Sequence, residues 1–169
     1  VRELVDRGHS VCVTFEAGVG SGYSDDDYIS SGATICHDFY AWDSDLVVKV
    51  KEPQVEEYKY FNGQILFTYL HLAGVDKELT LKLLSTNTTA IAYESITDNF
   101  GNLPLLSPMS AIAGNMAVTI GSYYLQYTDK SMFFDGSGVQ LGKINGVNSG
   151  NVVVVGDGVV GRHAAEMAN

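Results

Sequence analysis

The chain has 169 residues, 46% of them hydrophobic and 18% charged, which suits one compact domain, or one domain and a piece of another. A formal net charge of −10 and a pI near 4.6 argue against nucleic acid or an anionic membrane as the main partner, since both need clustered Lys and Arg to replace counterions. No run approaches the ~18 apolar residues of a membrane helix and no charged leader precedes an apolar segment, so a soluble, cytoplasmic protein is expected.

Residues 1–9, VRELVDRGH, read as the back half of a helix that closes on Gly8. SVCVTF (10–15) is the first apolar run of strand length. The two cysteines, Cys12 and Cys36, lie in apolar or aromatic settings, and one such pair builds no secretory framework, so reduced structural thiols are expected. Ser24 followed by Asp25, Asp26 and Asp27 predicts an N-cap and an acidic first turn, where carboxylates complement the helix dipole. A calcium site is the alternative for this triple aspartate, but the EF-hand spacing is absent and no metal is expected.

Further apolar runs follow at LVVKV (46–50), QILFTYL (64–70), TTAIAY (88–93) and NVVVVG (151–156), with helical patterns such as EEYKYF and DKELTLKLLST between most of them. This β-then-α rhythm predicts an α/β protein with a mostly parallel, doubly wound, flavodoxin/Rossmann-like sheet. Pro108 near the start and apolar residues at helical spacing predict a long helix over 107–126. The Gly- and Asn-rich stretch 135–150 carries turn signals, and the domain boundary is placed near residue 130. Residues 1–130 then form the first domain, and 131–169 a linker and the start of the second.

Ligands of an open parallel sheet bind beyond the carboxyl ends of its strands. Lys51 lies at that end of one predicted strand, His71 at that end of the next and Glu94 at that end of the one after. A Lys, a His and a Glu on one rim could bind a carboxylate, move a proton and orient a partner. A polar residue is also commonplace where a strand leaves the core, and it is the coincidence of three that favours a site. Near the C-terminus, Gly156, Gly158 and Gly161 form G-x-G-x-x-G after a four-valine run and at the opening of a helical pattern, the setting of a dinucleotide fingerprint. A helix N-terminus there would face a pyrophosphate, with Asp157 an unfavourable charge unless its side chain turns away.

The segments GHSVCVTFEAGVGSGYSDDDYISSGA, DLVVKVKEP, EEYKYFNGQILFTYLHLA, AIAYES, LPLLSPMSAIAGNMA and VVVVGDGVVG closely resemble the N-terminal part of the bacterial L-alanine dehydrogenase family. More distant relatives are the alpha subunit of the proton-translocating nicotinamide nucleotide transhydrogenase and saccharopine dehydrogenase. The resemblance implies a substrate domain followed by the first β–α turn of a Rossmann NAD-binding domain, in an enzyme that interconverts L-alanine, NAD and water with pyruvate, ammonia and NADH. By motif, it implies that Lys51 holds the substrate carboxylate or carbonyl and that His71 is the general acid/base. Ser110, Val159 and Val160 would touch the cofactor, and Gly156, Gly158 and Gly161 would form the pyrophosphate loop. Glu94 aligns with a family glutamate at the cleft, without an assigned role. The resemblance also implies a homo-oligomer, commonly a hexamer. It further places a substrate-binding arginine before Val1 and a catalytic aspartate beyond Asn169, so the chain alone is expected to be inactive. The alternative is a naturally truncated or split binding or assembly module of the same family; a transhydrogenase-like domain fits FTYLHLA and SPMSAIAG less well.

Overall fold

The computed structural model describes residues 1–74, 77–126, 136 and 138–169, and the chain divides into two compact units, Val1–Ser95 and Ile96–Asn169. The boundary predicted near residue 130 lies outside the described residues.

In the first unit, helix α1 (Arg2–Asp6) ends before Gly8, whose φ of +88° is the left-handed geometry that glycine adopts freely. Strand β1 (Cys12–Thr14) pairs in parallel with β2 (Thr34–Cys36). Between them lies α2 (Asp25–Ser30), which begins as the sequence predicts. The Ser24 hydroxyl accepts from the Asp27 N–H at 3.3 Å, and the Asp27 carboxylate accepts from the Ser24 N–H at 2.7 Å, a reciprocal capping box. The remaining strands, β3 (Leu46–Val48), β4 (Ile65–Thr68) and β5 (Thr89–Ala92), form a second parallel sheet in the order β3-β4-β5. The protein is therefore α/β with parallel sheets.

Three residues of β2 and five of helix α3 (Asp38–Trp42) are too short to carry a recognisable period, and the sequence reading has neither. EEYKYF falls in a 3₁₀ turn, Val55–Tyr60, instead of an α-helix. Helix α4 is described over Lys77–Ser85.

The core gathers on one face of the three-stranded sheet. Leu66 is fully buried at the centre of β4, and Trp42, Val47, Phe61, Leu70, Leu79 and Leu83 close round it. Each such side chain gains about 1.5–3 kcal/mol by leaving water. Burial alternates along β3 and β4, so Leu46, Val48 and Ile65 on the other face stay exposed.

Cys12 and Cys36 are joined as a disulfide, with Cα atoms 6.2 Å apart, which corrects the expectation of reduced thiols. The register explains it: Cys12 stands opposite Thr34 and Thr14 opposite Cys36, so the two cysteines are diagonal neighbours on one face of a parallel ladder. Their spacing in sequence gives no hint of this. The pair is expected to resist alkylation until a reductant is added, and reduction should destabilise the first unit by about 2–4 kcal/mol, because the bridge closes a loop of 24 residues. Thermal melts with and without reductant measure this.

In the second unit, helix α5 (Ser107–Gln126) matches the predicted bounds, with Pro108 in its first turn. It packs against α6 (Val159–Ala168), and Gly114 permits the approach: a Cβ there would fall on the Val160 carbonyl oxygen and lie 2.9 Å from His163 Cβ. The strand predicted over 151–156 is not formed. A strand exists only by pairing, and these residues have no ladder partner among the described residues; Val153 and Val155 are 85% and 95% exposed. Among the described residues no helix is long and apolar enough to cross a membrane.

Candidate functional site

The parallel register sets Val48 beside Phe67 and Phe67 beside Ile91, so all three strands of the larger sheet leave it at the same edge. Lys51, His71 and Glu94 are brought to that edge, as the sequence predicts. Beyond the named strands the ladder continues through hydrogen bonds of 3.1 Å from Lys49 N–H to the Phe67 carbonyl and from Tyr69 N–H to the Val50 carbonyl. The buried Thr68 hydroxyl lies 2.8 Å from the Lys51 carbonyl oxygen and 3.1 Å from that of Val50 and can donate to either, which ties the β3 exit to β4.

The two lysines of KVKEP have different surroundings. Lys49 Nζ contacts the Glu57 carboxylate at 2.6 Å and lies 5.7 Å from the centre of the Trp42 ring, so its charge is spent on the fold. Lys51, with its side chain 73% exposed, reaches outward and among the described residues has one ion-pair partner, its own neighbour Glu52, through Oε1 at 3.1 Å. Glu52 itself is largely buried, and its second oxygen, Oε2, has no hydrogen-bond partner among the described residues. Burial pushes the Glu52 carboxyl up, but its own backbone N–H, the Lys51 ammonium and the charge of His71 outweigh this and hold it below the usual carboxylate range. The buried Pro53 then ends the segment. Lysine, glutamate and proline at the end of an apolar strand thus make an exit that aims one cation outward and keeps a carboxylate beneath it.

His71 has φ = +49°, a left-handed conformation that costs a non-glycine residue about 1–2 kcal/mol. Its backbone N–H donates to Glu94 Oε1 at 2.8 Å, and the N–H of Leu70 donates to the same oxygen at 3.1 Å. Two successive N–H groups converging on one carboxylate form an anion-holding nest. Burial pushes the Glu94 carboxyl up; hydrogen bonds from the N–H groups of Glu94, His71 and Leu70, with the charge of His71, bring it below its ordinary value. Tyr93 anchors the turn, its ring centre 4.2 Å from that of Phe67 and 4.8 Å from that of Tyr69. The Tyr69 ring also stacks on the imidazole of His71 at 6.5 Å.

A carboxyl with a lowered folded-state pKa contributes stability that is complete above its unfolded value and is lost as pH falls through the folded one. Glu94 should therefore stabilise the first unit at neutral pH and cease to do so in acid. Asp27, held low by its hydrogen bonds with Ser24, Asp98, by those with Asn102, and Glu52 act in the same direction, so a variant isolates the effect. The thermal midpoint of wild type should exceed that of Glu94→Gln at neutral pH, and the two should converge below the carboxylate range.

The remaining predicted residues meet in the second unit. Ser110, Gly156, Gly158, Val159, Val160 and Gly161 line one largely apolar cavity of about 840 Å³. Each glycine of the fingerprint has its own reason. Gly156 has φ = +105°; Gly158, the N-cap of α6, has open space where a Cβ would project; and a Cβ on Gly161 would strike the Gly156 carbonyl oxygen. The Asp157 side chain turns outward, fully exposed and 3.9 Å from Arg162, which relieves the unfavourable charge anticipated there. A glycine turn opening onto a helix N-terminus fits a dinucleotide pyrophosphate. Sequence reasoning passes over Thr68 and Glu52: a buried threonine in an apolar strand carries no signal, whereas the signal for Glu52 is its place beside Lys51 in KVKEP.

Parallel strands with ionisable groups at their carboxyl ends, and a glycine turn at a helix N-terminus, define the class of α/β proteins that bind small ligands and dinucleotides at such edges. Residues 1–113 match the model of the alanine dehydrogenase/PNT N-terminal domain, and 117–169 that of the C-terminal domain. Over 170 aligned positions the chain is 46% identical to an alanine dehydrogenase of Staphylococcus epidermidis (strain RP62A) and 48% identical to one of Halomonas elongata, in each case covering 99% of this chain and 44% of the relative. A solved L-alanine dehydrogenase structure superposes with a TM-score of 0.85 at 46% identity, covering 99% of this chain and 45% of that one. The chain belongs to the alanine dehydrogenase family, and it spans less than half the length of these relatives.

Proposed function

We propose that this chain supplies the substrate site and the opening of the cofactor site of an NAD-dependent L-alanine dehydrogenase, which converts L-alanine, NAD⁺ and water to pyruvate, ammonium, NADH and a proton. The observation that carries the reading is the rim where Lys51, paired only loosely with Glu52 at 3.1 Å, stands on the strand beside the one that ends in His71. An exposed ammonium suits a substrate carboxylate or carbonyl oxygen. As pyruvate is aminated, His71 acts as general acid/base, moving the protons that make and then dehydrate the carbinolamine. Lys51 holds the keto acid and withdraws electron density from its carbonyl.

In the second unit, Gly156, Gly158 and Gly161 admit the pyrophosphate to the N-terminus of α6, while Ser110, Val159 and Val160 contact the cofactor. NAD held there would supply the hydride acceptor for the substrate carbon of L-alanine. Because the chain spans 44% of its relatives, we further propose that it has no turnover by itself, since residues that act as a unit lose nearly all their effect when separated. The intact protein acts in the cytoplasm as a homo-oligomer, a hexamer by analogy with its family, on a small-molecule substrate without nucleic acid or membrane.

The reading is tested by intact mass and an NADH assay on one sample. NADH oxidation that requires both pyruvate and ammonium, in a polypeptide well above 18.2 kDa, supports it. A longer polypeptide that oxidises no NADH with pyruvate and ammonium both present would contradict it.

A further inference from the structure

This inference rests on the role proposed above for His71. We propose that Glu94 is a positioning residue for the reaction: its carboxylate grips the peptide N–H groups of Leu70 and His71 and so fixes the left-handed backbone that sets the direction of the His71 ring. Three observations meet here. His71 stands at φ = +49° where the chain leaves β4, a left-handed conformation that costs a non-glycine residue free energy and persists where its surroundings hold it. Its carbonyl accepts from the Gly74 N–H at 2.7 Å, while its own N–H and that of Leu70 are held by Glu94 at 2.8 and 3.1 Å. Glu94 in turn sits in the short 3₁₀ turn Tyr93–Ser95 directly after β5, and Tyr93 is wedged edge-on against Phe67 and Tyr69 of the neighbouring strand.

The carboxylate is thus mounted on a rigid corner one strand away from the residue it orients. Among the described residues its carboxylate accepts hydrogen bonds from the backbone N–H groups of Leu70 and His71, so its part in the chemistry is exerted through His71. A carboxylate facing two N–H groups is also the strongest acceptor available there, being charged.

The test compares Glu94→Gln and Glu94→Leu with wild type in the intact protein, by steady-state amination of pyruvate and by residue-resolved amide hydrogen exchange. The leucine variant should lose about 10- to 100-fold in kcat, as a displaced catalytic group does, while the KM for NADH stays unchanged. Its Leu70 and His71 amides should exchange faster. The glutamine variant, whose side-chain oxygen still accepts, should recover part of both effects. A leucine variant with wild-type kcat, or with Leu70 and His71 amides exchanging as in wild type, overturns the proposal. If the leucine variant does not fold, the glutamine variant decides: slower turnover with faster His71 exchange supports the proposal, and wild-type values of either overturn it. If wild type does not aminate pyruvate, the proposed function falls, whereas His71 amide exchange still decides whether Glu94 holds that backbone.

Discussion

Replacing His71 by alanine is expected to lower kcat for pyruvate amination by about two to four orders of magnitude, the usual worth of a positioned general acid/base. The change removes the imidazole and leaves untouched the core it adjoins, because His71 is exposed and Leu70, beside it, is the residue that packs inward. Thermal stability should hold or fall slightly, since alanine's Cβ meets the same left-handed backbone at φ = +49° and the stack of the imidazole on Tyr69 is lost. The KM for NADH should be unaffected. Lys51→Ala makes the complementary case: with the ammonium gone, the KM for pyruvate should rise, and because Lys51 is largely exposed and its ion pair among the described residues is with the adjacent Glu52, little stability should be lost. A His71→Ala variant that keeps wild-type kcat in steady-state assays at several pH values would remove histidine from the chemistry.

The second large effect separates the two kinds of glycine in the fingerprint. Gly161→Val should destabilise the second unit by about 1–3 kcal/mol or more, because its Cβ would strike the Gly156 carbonyl oxygen and neither backbone can yield without moving the turn. Gly158→Ala should leave the thermal midpoint within experimental scatter. Its φ of −67° is ordinary for alanine, and beyond its chain neighbours no atom of the described residues lies within 4 Å of the added Cβ. If the open space at Gly158 receives a pyrophosphate, the same methyl should weaken NADH binding at least tenfold, about 1.4 kcal/mol. Stability from melts and affinity from NADH fluorescence titration are thus expected to part company at these two positions. Equal NADH affinity in wild type and Gly158→Ala would show that the turn serves packing alone.

Much of the first unit was legible because each relevant signal is local. Ser24 and the three aspartates after it announce a cap, and the apolar runs ending in Lys51, His71 and Glu94 announce parallel strands with a polar edge. The features that escaped depend on what stands opposite. Thr34–Cys36 is a strand because β1 lies beside it, and the Cys12–Cys36 bond follows from a register that only the fold sets. Residues 151–156 show the converse: four valines with high strand propensity form no strand without a partner among the described residues. At the rim, the placement of Lys51 and His71 was readable, but the contacts of Glu94 were not, since its partners are backbone N–H groups and no side chain marks them. A positive φ at a histidine has no counterpart in sequence.

Whether the Lys51 and His71 edge holds the keto acid is decided by a crystal structure of the intact protein with pyruvate and NADH. Pyruvate is expected at the carboxyl ends of β3 and β4, with an oxygen within hydrogen-bond reach of Lys51 Nζ and the carbonyl beside the His71 imidazole. Pyruvate bound elsewhere, with Lys51 still directed only at Glu52 and His71 facing solvent, would contradict that placement.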